Sequence, residues 1–141
     1  MTPREVKMLT EEQNIKVLVQ PSTIRCYTDD EFEAAGATIQ EDVSSAEVLF
    51  GVKEVPMTNL MPSKTYFFFS HTIKAQDYNM PLLDQLLEKR IRMIDFECIK
   101  KDNQRLVAFG RYAGIAGAYD FLRGVGEFLL ENGGVVLASR A

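Results

Sequence analysis

Three apolar runs of this chain each stop at an ionisable side chain. "AEVLFGVK" (46–53) stops at Lys53 with Glu54 beside it, "TYFFFS" (65–70) leads into His71, the sole histidine of 141 residues, and "IRMIDFE" (91–97) stops at Glu97. An ammonium, an imidazole and carboxylates gathered in one place can exchange protons near neutral pH, because burial and mutual contact move the pKa of a Lys or Glu toward neutrality. The same pattern fits a plainer reading. Polar residues emerge wherever a strand leaves a core, and a lone histidine there is often a solvated or capped group.

The elements that would position these groups alternate along the chain. "TPREVKMLTEEQ" (2–13) has Thr2 as N-cap, Pro3 at the first helical position and Glu5 at the third, which predicts a helix of about three turns. "IKVLVQ" (15–20) predicts a strand covered on both faces and stopped by Pro21. "TDDEFEAAGA" predicts a short helix capped by Thr28 and ended by Gly36, and "ATIQ" (37–40) a weak strand. The three runs of the first paragraph predict strands, the first closed by Pro56. "DYNMPLLDQLLEKR" has Leu82, Leu83, Leu86 and Leu87 at helical spacing, and "RLVAFG" (105–110) reads as an extended piece after the polar turn "KDNQ". "RYAGIAGAYDFLRGVGEFLLENGG" predicts a long helix with apolar positions 115, 119, 122, 125 and 129, ended by Gly133.

Strands separated by helices predict a three-layer α/β domain with a mainly parallel sheet, Rossmann-like or flavodoxin-like. In such sheets ligands bind beyond the carboxyl ends of the strands, where the loops diverge. Lys53, His71 and Glu97 are therefore expected at one end of the sheet. Ser70 beside His71 makes a poor nucleophilic pair, since adjacent strand residues point to opposite faces. The small residues Gly110, Ala113, Gly114, Gly117 and Ala118 predict close packing of the long helix against backbone.

Composition excludes several functions. A net charge of -4 with scattered Lys and Arg gives no basic stripe for nucleic acid and no polybasic patch for a membrane. No apolar run approaches the ~18 residues needed to span a bilayer, so a soluble chain is expected. Cys26 and Cys98, with one histidine, make neither a disulfide framework nor a metal site, and a reducing compartment, cytoplasmic or mitochondrial matrix, is expected. The glycines of "FGRYAGIAG" (109–117) do not fit G-x-G-x-x-G, so no phosphate cradle is expected.

The runs "KVLVQPS", "AGATIQEDVSSAEVLFGVKEVP", "KTYFFFSHTIKAQDYNMPLLDQLLEKRIRMIDFE" and "RLVAFGRYAGIAGAYDFLRGVG" together resemble the N-terminal domain of lysine-ketoglutarate reductase/saccharopine dehydrogenase. More distantly the chain is similar to single saccharopine dehydrogenases and to the alanine dehydrogenase/transhydrogenase N-terminal domain. The resemblance covers roughly residues 1–130 and implies an NADP- or NAD-dependent oxidoreductase that joins lysine and 2-oxoglutarate into saccharopine. It implies that Lys53 and His71 are the acid–base pair and that Glu54, Lys74, Glu97 and Arg105 line the substrate site, with Arg105 on a carboxylate.

Two departures accompany it. The family begins with a strand and an arginine-rich approach that "MTPREV" lacks, and its dinucleotide-binding domain should follow the long helix, where this chain reads "ENGGVVLASRA". The expectation is a substrate domain over 1–134 with a tail over 135–141, inactive alone, its nicotinamide cofactor held by a domain absent from this chain. A homo-oligomer is expected, through the long helix or the sheet edge left by the absent strand. The competing expectation is a non-catalytic interaction or structural module that keeps the fold.

Overall fold

The computed structural model describes residues 1–133, so the expected tail over 135–141 lies outside the described residues. The chain divides into two compact units, Met1–Asp95 and Phe96–Ala141.

The first unit opens with α1 (Pro3–Glu11), begun by a capping box in which the Thr2 N–H donates to Glu5 Oε2 at 2.9 Å. The Thr2 hydroxyl, and then its N–H, hold the Glu5 carboxyl below the usual carboxylate range. β1 (Leu18–Val19) pairs in parallel with β2 (Thr38–Ile39), and α2 (Asp29–Ala34) lies between them in sequence. A second capping box starts α2: the Thr28 N–H donates to Glu31 Oε2 at 2.7 Å, and the Glu31 N–H donates back to Thr28 Oγ1 at 3.3 Å. Gly36 follows α2 with φ of 91°, and a Cβ there would sit 2.9 Å from Thr10 Oγ1, so the position requires glycine twice over. Val6, Phe32, Ala35 and Ala37 form the core of this half.

The second half holds a three-stranded parallel sheet in the order β3 (Val48–Phe50), β4 (Thr65–Phe68), β5 (Arg92–Asp95). Tyr66 and Phe68 of β4 pack against Leu82 and Leu86 of α3 (Met80–Glu88) and against Leu60. Leu87, expected on the same stripe as Leu82 and Leu86, is exposed. The opposite sheet face carries Phe50 stacked on Phe67, ring centroids 4.4 Å apart, and there Val48 and Phe50 stay open to solvent. "YFFF" is thus split by the pleat: Phe68 is fully buried, whereas Phe67 is half-buried on the other side. Phe68→Ala should lower the unfolding free energy by about 3–5 kcal/mol and Phe50→Ala by about 1 or less, measured by urea denaturation. Equal losses would mean that both sheet faces are sealed.

The strands differ from the sequence reading in length and grouping. The strands that the sequence predicts over 15–20, 46–53 and 91–97 are each cut to the residues that find a ladder partner. The parallel strands lie in two separate ladders, β1–β2 and β3–β4–β5. Beyond β5 the chain tightens into a 3-10 turn, Phe96–Cys98, so Glu97 sits past the strand end.

The second unit begins with that turn. The polar stretch read as a plain turn is a hairpin, β6 (Lys100–Lys101) antiparallel to β7 (Gln104–Arg105). Its loop residues Asp102 and Asn103 both have positive φ, 48° and 61°, as a two-residue type I′ connection demands. α4 (Gly110–Glu131) follows, with Gly133 at φ 73° just past its end. None of its residues is buried, and a Cβ at Gly110, Gly114 or Gly117 would meet nothing within 4 Å. Close packing of that small-residue face, expected from the sequence, is not seen among the described residues.

Candidate functional site

The exits of β3 and β4 lie side by side. Backbone pairing runs past the ladder, Gly51 N–H donating to the Phe67 carbonyl at 2.8 Å and Phe69 N–H to the Val52 carbonyl at 3.1 Å. Because the two strands are parallel, Lys53 and His71 both follow carboxyl ends at one end of this sheet. Lys53 and Glu54 are exposed, and His71 is half-buried.

His71 does not continue the strand. Its φ of 57° and ψ of 5° are left-handed, a conformation that costs a side-chain-bearing residue about 1–2 kcal/mol. The chain then enters a 3-10 turn, Thr72–Lys74, closed by Lys74 N–H donating to the His71 carbonyl at 3.1 Å, and Ala75 is left-handed again at φ 48°. This reversal brings Lys74 Nζ to 3.5 Å from His71 Nδ1. An ammonium only donates, so a hydrogen bond at this distance requires Nδ1 as the acceptor. The Phe69 ring lies 6.4 Å from the imidazole, inclined by 24°.

Two polar residues that the sequence reading passed over are buried at the same strand ends. Ser70 is 1% exposed and Asp95 9%. The Ser70 hydroxyl donates to Asp95 Oδ2, its N–H reaches the same oxygen at 3.3 Å, and Thr72 N–H donates to Ser70 Oγ at 3.2 Å. Ser70 is thus committed to Asp95 and Thr72. His71 has left the strand, so the alternation expected to point Ser70 away from it does not hold for this pair. Asn79, at the start of α3, is also buried, and its Nδ2 has no partner among the described residues. A buried amide donor of that kind calls for a water or a ligand oxygen.

In the second unit Glu97 is 4% exposed and pairs with Arg105, Nη2 to Oε1 3.2 Å, across the hairpin. The two residues expected to line a substrate site there are therefore held on each other. A depression of about 470 Å³ lined by Met57, Thr58, Pro81, Asp84, Gln85 and Lys89 contains none of the candidate residues. Lys89 is engaged there, donating to the carbonyls of Leu60 at 2.8 Å and Met57 at 3.1 Å. Among the described residues no cluster of His, Cys, Asp and Glu could hold a metal ion, and no helix is long and apolar enough to cross a membrane.

Residues 1–116 match the family described as "Alanine dehydrogenase/PNT, N-terminal domain". The chain belongs to that family. As a member of the alanine dehydrogenase/PNT N-terminal domain family it is 49% identical over 134 residues to the alpha-aminoadipic semialdehyde synthase, mitochondrial, of Bos taurus, which covers 94% of this chain and 14% of the bovine protein. It is 44% identical over 113 residues to the alpha-aminoadipic semialdehyde synthase of Arabidopsis thaliana, 79% of this chain and 11% of that one. The saccharopine dehydrogenase [NAD(+), L-lysine-forming] of Yarrowia lipolytica is 32% identical over 124 residues, 84% of this chain and 33% of that protein. This family member thus spans a seventh to a third of the bovine and Yarrowia relatives.

Proposed function

We propose that this chain is the substrate-binding, acid–base-carrying domain of a saccharopine-forming oxidoreductase of the lysine-ketoglutarate reductase type, inactive by itself. One observation carries the reading: Lys53 and His71 follow the carboxyl ends of two adjacent parallel strands, where α/β sheets bind ligands. The name of the Yarrowia relative, a saccharopine dehydrogenase that forms L-lysine, supports a saccharopine- and lysine-handling chemistry. Joining the side-chain amine of lysine to the ketone of 2-oxoglutarate requires proton transfers at the attacking nitrogen and at the carbinolamine oxygen. In this proposal His71 and Lys53 make those transfers, while Glu54, Lys74, Glu97 and Arg105 orient the substrates, Arg105 exchanging Glu97 for a substrate carboxylate.

NAD or NADP would supply the hydride chemistry from a domain outside this chain. Among the described residues the glycines of 109–117 make no strand-to-helix phosphate turn, since Gly110 opens α4 and Gly114 and Gly117 lie within it. The proposed domain spans 1–134, and a three-layer arrangement would require cover on the Phe50–Phe67 face of the sheet. The mitochondrial names of the bovine, rat and mouse relatives favour the mitochondrial matrix among reducing compartments.

A second reading, a non-catalytic interaction module, draws on α4, whose apolar side chains are all open. Titration of the labelled chain with saccharopine, lysine and 2-oxoglutarate separates the two. Shifts confined to 52–54, 69–76 and 95–105 support the enzyme reading, and no shift at millimolar ligand supports the module.

A further inference from the structure

We infer that Asp95, Ser70 and Thr72 form a clamp that fixes the left-handed turn at His71, making Asp95 and Ser70 positioning residues for its imidazole. The consequence for catalysis rests on the acid–base reading of His71 given above.

Hydrogen-bond counting carries the inference. Ser70 Oγ has one proton and two lone pairs. The proton goes to Asp95 Oδ2, and Thr72 N–H takes one lone pair at 3.2 Å. Thr72 Oγ1 lies 2.8 Å from Ser70 Oγ, and with the serine proton already given away the threonine hydroxyl must donate to the remaining lone pair. The serine is saturated and only 1% exposed, which makes it a joint.

What the joint holds is the residue between its two ends. Ser70 is tied on the β4 side through its N–H and its hydroxyl, both onto Asp95 Oδ2 of the neighbouring strand, while Thr72 is tied back to Ser70 from beyond the turn. His71 is bracketed, at φ 57° and ψ 5°. Left-handed backbone at a residue other than glycine persists only where the surroundings over-determine it, and these bonds supply that determination. A carboxylate and a hydroxyl buried at 9% and 1% exposure also forfeit hydration that apolar residues would not, which a plain strand end does not require.

The test uses this chain, in which His71 is the sole histidine and its ring resonances need no separation from others. Backbone 13C shifts and amide couplings distinguish a left-handed His71 from an extended or right-handed one. Ser70→Ala and Asp95→Ala should release His71 from the left-handed region, whereas Asp95→Asn, whose carbonyl oxygen still accepts from Ser70, should keep it there. In a complete enzyme carrying this domain, Ser70→Ala should lower kcat about tenfold with KM within about twofold, whereas Asp95→Asn should retain most of the unaltered kcat. If Asp95→Ala fails to fold, Ser70→Ala, which leaves the carboxylate in place, decides alone. A folded Ser70→Ala chain whose His71 keeps its left-handed shifts overturns the clamp. Released His71 with unchanged turnover leaves the clamp standing and overturns the acid–base reading instead.

Discussion

Turnover of a complete enzyme carrying this domain should fall by about 10² or more when His71 is replaced by Ala or Lys53 by Met, the usual size of a general acid–base contribution. Lys53 is exposed, so removing its ammonium should leave folding intact and act on chemistry alone. His71 needs more care, because alanine in a left-handed turn adds backbone strain of its own. His71→Asn is the cleaner variant, since asparagine tolerates that region while lacking the imidazole. The expected result is the same loss of turnover in both variants, with the thermal midpoint unchanged in His71→Asn. Near-normal turnover in His71→Asn, or in Lys53→Met, would remove that residue from the acid–base role.

Self-association is the second large effect. At 100° per residue, the apolar side chains of α4, from Phe128 and Phe121 through Val125, Leu129, Leu122 and Ile115 to Tyr119 and Tyr112, sweep roughly 200° of the helix. Asp120, Arg123, Glu127 and Glu131 occupy the remaining arc, where Arg123 and Glu127 pair at 2.8 Å. Phe121 and Leu122 are each 69% exposed and Phe128 63%. Burying each such side chain contributes about 1.5–3 kcal/mol, and monomeric proteins rarely leave so many open together. A second copy presents the same face, and the small residues Gly114, Gly117 and Ala118 would let two helices approach closely. Sedimentation at micromolar concentration should therefore show a dimer or larger species, and Phe121→Glu with Phe128→Glu should return it to monomer. A stable monomer in the unaltered chain would sink the prediction.

Much of this was legible in the sequence wherever the signal was local. The two capping boxes at Thr2 and Thr28, the stop at Gly36 and the aromatic strand ahead of His71 all follow from residues a few positions apart. Strand lengths were not legible, because a ladder ends where its partner ends, and only the pairing decides that. The hairpin at Asp102–Asn103 was missed because Lys100, Lys101, Gln104 and Arg105 offer no apolar alternation. The Glu97–Arg105 pair was hidden with it. Ser70 and Asp95 stand 25 residues apart in sequence and meet only through the register that sets Phe68 beside Asp95. One clue was available: an aspartate within an otherwise apolar strand rarely stays buried without a partner.

The two cores of Met1–Asp95 have no buried residue in common, one built from Val6, Phe32, Ala35 and Ala37, the other from Leu60, Tyr66, Phe68, Leu82 and Leu86. Local opening is therefore not tied to the whole unit. β1 and β2, a ladder of two residues each, can exchange their amide hydrogens with water through an opening that leaves β4 closed. The amides of β4, hydrogen-bonded on both sides and under α3, exchange only when the second core comes apart. His71 hangs from that slowly exchanging strand, so its position is decoupled from breathing in the first forty residues.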